Sequence, residues 1–248
     1  MSGKTGGLGD MVLLGPYDVS GDYQALGGIS SPRGTFDQTG VNKYAYERSL
    51  TTQDGSVQAT TFFNPGMEAN ALHGLAKTLP VTDVQFGYGR GTSLGDAAAV
   101  CVSKMINYDP TMNQDKSLTF ALNVQANGYG LEWGEQLTPG VRTDTTGTNG
   151  TGVDFTAVST AFGWQAYLWV TGVTGTSVTV KLQDSADNSA WTDLSGASFT
   201  AATAAGAQRL QGGRTDTVRR YVRAVSSGTF TSASFAVVFC RNQAPVAF

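Results

Sequence analysis

Residues that carry chemistry are scarce in this chain. One histidine and two cysteines stand among 248 residues, too few for a Cys₄, Cys₂His₂ or His₃ zinc site, while a site built from carboxylates stays open. Cys101 and Cys240 lie far apart and build no disulfide framework, so nothing calls for an oxidising compartment. Charged residues make up 14% of the chain, against a usual share of about 25%. Long apolar runs are missing too. Near the start only Met11, Val12, Leu13 and Leu14 are consecutive apolar residues, where a signal peptide needs about 7–15 and a membrane span about 20. The expectation is a soluble protein made in a cytoplasm, without membrane insertion. Glycine and threonine are abundant, at 32 and 31 residues, which suits turn-rich β structure and excludes long helical bundles and coiled coils.

The charge is unevenly spread. Residues 1–140 hold 8 basic and 13 acidic residues, and residues 141–248 hold 8 and 6. Between them, TPGVRTDTTGTNGTG over residues 138–152 has almost nothing to bury and reads as a linker. The predicted organisation is an acidic N-terminal domain at 1–140, a Gly/Thr linker at 141–152 and a C-terminal domain at 153–248, as the length allows.

Within the first domain, Asn64-Pro65 supplies an N-cap and a first-turn proline. Met67, Ala71, Leu72, Leu75, Ala76 and Leu79 follow at helical spacing before Pro80, which predicts a helix over residues 65–79. Elsewhere the period is two, most cleanly in Leu118, Phe120, Leu122, Val124 and Ala126. Strands are expected at 57–63, 81–88 and 97–108, with a turn at Asp109-Pro110. Residues 25–55 read as a loop, long enough to be functional. The second domain reads as strands throughout, at 164–171, 177–183, 198–203, 217–226 and 234–241, which suggests an Ig-like or jelly-roll-like sandwich. The last of these is apolar on both faces and should be central, with Cys240 a small buried hydrophobe.

Short motifs are better explained by structure than by chemistry. Gly3-Lys4-Thr5 lacks the upstream glycine and strand of a phosphate loop. Gly87 to Gly91 has no βαβ unit around it, so turn or strand-end glycines account for it. His73 has no second histidine or cysteine to share a ligand or triad role and reads as a surface or interface residue. Asn149-Gly150-Thr151 fits a glycosylation pattern but is linker composition. Asp184, Asp187, Asn188 and Asp193 could offer calcium oxygen ligands, though Asx-rich hairpin turns look alike. Tyr167, Trp169 and Trp191 could form an aromatic platform for a host-surface glycan or another chain; burial against a neighbouring sheet is the competing explanation. Arg219, Arg220 and Arg223 flank Tyr221, a ridge too short for a nucleic-acid groove in an acidic protein.

The run from DVSGDYQALGG through GSVQATTFFNP, ALHGLAKTLP, GYGRGTSLGDAAAV and INYDPTMNQDKSLTFALNVQANGYGLEWGEQLTPGVRTD to FGWQAYLWVTGVTGTSVTVKLQDSADNSAWTDL resembles the major tail (tail tube) protein of long-tailed phages, notably those of actinobacteria. The resemblance implies a mainly β fold: a β-sandwich or barrel with one flanking helix, here residues 65–79, plus the appended β-sandwich. It also implies homomeric, usually hexameric, rings stacked into a tube that conducts double-stranded DNA, with the chain itself and other tail proteins as partners and no cofactor. The stacking loop would fall within residues 25–55, and the arms would be residues 1–16 and the segment after Leu137. A negative lining keeps DNA from sticking to the wall, since like charge repels phosphates at close range. Asp37, Glu47, Asp54, Asp83 and Glu132 are the candidate lumen acids.

Two other classes compete. A decoration or adhesion protein of the virion would bind glycans through Tyr167, Trp169 and Trp191. A polysaccharide-cleaving enzyme would need two carboxylates about 5–10 Å apart across a cleft, and no sequence feature nominates that pair, so no catalytic residue and no metal site is assigned.

Overall fold

The computed structural model describes residues 6–66 and 71–246. In chain order the elements are β1 (Met11–Leu14), β2 (Tyr17–Asp18), β3 (Tyr23–Ser30), β4 (Arg33–Asp37), β5 (Arg48–Gln53), β6 (Ser56–Phe62), the helix α1 (Leu72–Ala76), β7 (Val84–Gly89), β8 (Ala97–Met112), β9 (Leu118–Ala126), β10 (Glu132–Gln136), β11 (Arg142–Asp144), β12 (Val153–Thr160), β13 (Trp164–Ser185), β14 (Thr192–Ser198), β15 (Gly206–Gln211) and β16 (Val218–Arg241). At 59% strand and 3% helix, the fold is mainly β, as composition and periodicity require.

Two compact units share these elements. One comprises Met1–Gly21, Gln85–Val100 and Trp133–Phe248; the other comprises Asp22–Val84 and Cys101–Glu132. This division differs from a single cut near residue 140, for reasons visible in the pairing. All four residues of β1 are buried, and β1 pairs antiparallel with β7, so residues 11–14 are core rather than arm. The stretch expected to be a linker is bonded into the sheet: β11 pairs with β16 and Asn149 bridges Val225. Its few apolar side chains do not matter there, because its backbone donors and acceptors find partners on the edge of β16.

In the first unit, β13 and β16 form an antiparallel ladder from Trp164↔Arg241 to Ser185↔Tyr221, interrupted by register shifts between Val170 and Ser177. Four of the strands expected from sequence are thereby merged into two. At the irregularity Gly175 has φ 133°, and a Cβ there would stand 2.5 Å from the Phe230 Cα, so only glycine fits. Inward residues from both halves of the long strands, including Trp164, Leu168, Val180, Leu182, Val222, Phe235 and Phe239, belong to one buried cluster. The strand 234–241 is central as expected: that end of β16 pairs with β13 on one side and with β10 and β11 on the other. Cys240 and Cys101 are both buried thiols.

The second unit is built on the antiparallel order β3, β6, β9, β8. Alternation on β6 and β9 sends Val57, Ala59, Phe120, Leu122 and Val124 inward, as the two-residue period predicts. Pro110 pairs with Phe120 inside β8 rather than making a turn; the chain turns instead at residues 113–117, where the Asp115 carboxylate accepts the Ser117 N–H. The predicted helix is shorter than expected. Of residues 65–79, 67–70 lie outside the described residues, and α1 covers Leu72–Ala76. Asn64 turns the chain ahead of the helix, accepting the Gly66 N–H, and Leu79 at φ 42° closes the helical path.

Candidate assembly surface

The segment expected to be a long loop is mostly strand. β3 pairs with β6, and β4 and β5 form a separate two-stranded hairpin in which Phe36 faces Ser49 and Asp37 faces Arg48. Four residue pairs, with a register shift between Arg33 and Thr35, join β4 to β5, a pairing that the Gly, Pro and scattered charge of residues 25–55 disguise in the sequence. Every residue of β4 is exposed. Phe36, Val41, Tyr44, Tyr46 and Leu50 display large apolar side chains on this hairpin, with Tyr44 fully exposed. Among the described residues β3 pairs within its sheet with β6 alone and β4 and β5 pair only with each other, so the other edge of β3 and the outer edges of β4 and β5 have no strand beside them. Such edges are templates for another chain where charge, proline or a bulge does not block them; β3 shifts register at Tyr23/Ala25 and Leu26/Gly28 and β4 at Arg33/Thr35, which leaves short stretches of each edge for a partner.

Of the fifteen large apolar side chains exposed among the described residues, twelve lie in this second unit, Phe62, Ile106 and Met112 among them. Scattered apolar residues are ordinary on any surface, and here they are carried mostly by one unit. The charge is concentrated there too. The second unit holds nine acidic and six basic residues, and the first holds ten of each. The whole net charge of the chain therefore comes from the unit with the open edges.

All five candidate lumen acids fall in that unit. Asp37 caps its own turn by accepting the Thr39 N–H and hydroxyl, which hold its carboxyl below the usual range. Glu47 pairs with Lys43 at 2.8 Å. Asp54 accepts the Gln125 amide and the Gly55 N–H. Asp83 is bound by Lys104 at 2.8 Å and by the Asn127 amide; the Lys104 hydrogen bond is the main reason its carboxyl lies below the ordinary range. Glu132 stands half-buried at the start of β10. All five sit at the surface or half-buried, and hydrogen bonds from local partners hold the carboxyls of Asp37 and Asp83 below the ordinary range.

His73 is less exposed than expected. Its ring packs edge-on to Phe63 at 4.9 Å and lies 5.7 Å from Tyr108, and its Nδ1 is buried without a hydrogen-bond partner. Phe120 joins the same cluster, stacked on Tyr108 at 4.2 Å.

The first unit holds the remaining candidates. Tyr167 and Trp169 are fully buried: the Tyr167 hydroxyl accepts the Arg209 Nε–H at 2.9 Å, and the Trp169 indole N–H points to the Gln85 carbonyl. Neither faces solvent: Trp169 packs against β7 and Tyr167 stacks on Trp169, so the aromatic platform reduces to Trp191. The acidic turn is likewise committed within the protein. Asp184 pairs with Arg219 at 2.5 Å, Asp187 accepts the Ser189 and Ala190 N–H groups, and Asp193 binds Lys181 at 2.8 Å. Asp184, Asp193 and Asp216, with Thr192, Leu194, Ser195, Thr217 and Arg219, line an open cavity of about 350 Å³. Gly87 and Gly89 are strand glycines in β7 and Gly91 is in a turn at φ 93°; Lys4 lies outside the described residues. At the N-terminal end Asp10 accepts both the Tyr88 hydroxyl and Arg90, whose Nη2 reaches the Gly6 carbonyl. Among the described residues no helix is long and apolar enough to cross a membrane.

No family model and no curated protein matches the chain. Solved structures similar to it are components of virions and baseplates. One belongs to the virion of a native gene transfer agent particle, at 14% identity and TM-score 0.39 over 52% of this chain and 98% of that one. Another is the Dit protein of SPP1, described as a paradigm of the hub adsorption apparatus in phages infecting Gram-positive hosts, at 12% identity and TM-score 0.34 over 93% and 98%. A third is a chain of the phage p2 baseplate in its activated conformation with strontium, at 12% identity and TM-score 0.35 over 96% and 99%. Likeness at this level assigns no residue and no activity.

Proposed function

We propose that this protein is a structural, non-enzymatic subunit of a phage virion, a tail tube protein that forms homomeric, hexameric rings stacked into a tube for double-stranded DNA. The observation that carries the reading is the second unit, where open strand edges, exposed apolar side chains and the chain's net negative charge coincide. Closing a ring of identical copies covers each open edge with a neighbour and removes the aggregation liability. The β4–β5 hairpin, too small to be stable alone, gains its packing from the next ring, and contacts made there offset the cost of ordering its tip. Asp37, Glu47, Asp54, Asp83 and Glu132 line the lumen, and although Lys43 and Lys104 offset two of them, the unit's excess of nine acidic over six basic residues gives the wall a net negative charge that repels phosphates within roughly 8 Å at physiological salt. Residues 153–248 take the outside of the tube, and other tail proteins meet the tube at its ends.

Negative-stain microscopy of the purified full chain, alone and with its tail initiator, tests this directly. Hollow stacks of rings are expected, and a protein that stays monomeric under both conditions would sink the reading.

A further inference from the structure

The three arginines that flank Tyr221 do not share one role. Arg219 is bound to Asp184 and Arg220 to Asp154 at 2.7 Å. Arg223 has no carboxylate partner among the described residues. Its Nε and Nη2 both donate to the Gln183 amide oxygen, at 3.0 and 2.7 Å, and its guanidinium lies 4.3 Å from the centre of the Trp191 ring. Gln183 is fixed in turn, donating to Asp193 at 2.6 Å while Asp193 takes Lys181. Strands β13 and β16, together with the residues that open β14, thus hold one guanidinium in a set orientation. Among the described residues this half-buried cation is held by neutral groups, and desolvation lowers its pKa.

We propose that Arg223 and Trp191 form a binding site for a saccharide carrying an anionic substituent. Guanidinium presents two parallel N–H edges, and only the Nε–Nη2 edge is occupied by Gln183; the outer Nη1–Nη2 fork matches a carboxylate or a phosphate. The guanidinium lies over one face of the Trp191 ring and the ring's six-membered edge packs against Gly152, so the part of this half-buried indole left at the surface is what a sugar ring would meet next to the fork. Because the amide network already fixes the guanidinium, little side-chain entropy is lost on binding. A nucleic acid fits less well, since it requires a run of unpaired cations and the other two arginines of the ridge are neutralised. The substituent can be a uronic carboxylate or the phosphodiester of a polyol phosphate, which share the charge and the two-oxygen geometry.

Affinity electrophoresis of the full chain through native gels tests the site, with hyaluronate as the carboxylate arm, poly(ribitol phosphate) as the phosphate arm and dextran as the neutral arm. The chain carries a net charge of −3, so general electrostatics opposes retention by either polyanion. Retardation by at least one polyanion and not by dextran is expected, weakened at least tenfold in Arg223→Gln and unchanged in Arg220→Gln. Arg223→Lys keeps the charge over the indole but lacks the fork, and should lose at least fivefold while unfolding at the wild-type temperature. Retardation by neither polyanion, equal retardation by dextran, or wild-type binding by Arg223→Gln or Arg223→Lys would overturn the proposal. The chain is run at concentrations below those at which it assembles, so the outcome is independent of tube formation.

Discussion

The Asp22 carboxylate accepts the backbone N–H of Leu72 at 2.9 Å, reaching across fifty residues of sequence to the first turn of α1. Its other oxygen takes the Asn64 amide at 2.9 Å. Ala71, at the N-cap position, has no side chain able to do this, so the cap comes from a distant segment. Replacing Asp22 with alanine leaves the Leu72 N–H and the Asn64 amide without their acceptor. A loss of about 1–2 kcal/mol is expected, read as a lower urea midpoint with an unchanged slope. Asp22→Asn, which keeps one acceptor oxygen, should recover part of it.

Gly87 lies beneath Trp169. A Cβ at Gly87 would stand 2.8 Å from Cζ2 of an indole that is fully buried and cannot swing aside. Gly87→Ala should therefore destabilise by about 1–3 kcal/mol through overpacking, and Trp169→Phe in the same chain should relieve most of that loss. A Gly87→Ala protein that melts at the wild-type temperature would show that β7 and β13 are packed less tightly than described.

Glu135 titrates near neutrality because burial pushes its carboxyl up to about 7, with Asp154 adding to the shift and Arg241 opposing it. A carboxyl raised in the folded state is tolerated best when neutral. The penalty for its charge is complete above about pH 7, shrinks as pH falls toward the unfolded value of 4.5, and is absent below that. Stability should thus rise on acidification from pH 8 to pH 5, by about 1 kcal/mol once solvent screening of a half-buried group is allowed for. Glu135→Gln should remove this contribution; an identical pH profile in the variant would refute the assignment.

Legibility in the sequence followed the range of the interactions. The alternation of Leu118 to Ala126 is a local property, and β9 forms as that spacing requires. The central position of the last strand was readable for the same reason, because both of its faces are apolar. What depends on distant partners was not readable. Residues 142–144 have linker composition and become a strand because β16 offers an edge. Tyr167 and Trp169 alternate correctly with Leu168, yet nothing local says that β7 packs on Trp169 or that Arg209 takes the Tyr167 hydroxyl. The single free fork of Arg223 was hidden inside an arginine ridge, since only the fold tells which arginines have a carboxylate beside them. Of the candidate site, residue types and approximate place were visible, but edges, partners and burial were not.

The β4–β5 hairpin separates the requirements of folding from those of assembly. Tyr44 and Tyr46 are 109% and 70% exposed at its tip, so neither is needed to fold the subunit. Substituting both with serine removes two large apolar surfaces from water and should change monomer stability by less than about 0.5 kcal/mol. If the hairpin packs on another copy, those side chains become buried aromatic anchors, the kind whose truncation costs about 2 kcal/mol or more each at an interface. The doubly substituted chain should then sediment as a monomer at concentrations where the wild type assembles, while its thermal unfolding is unchanged. Assembly at the wild-type concentration would remove the hairpin from the interface. Unchanged assembly combined with lost stability would mean that the two tyrosines pack within their own subunit. Substituting Val158, an exposed apolar residue of the first unit, with serine is the matched control and should leave assembly intact.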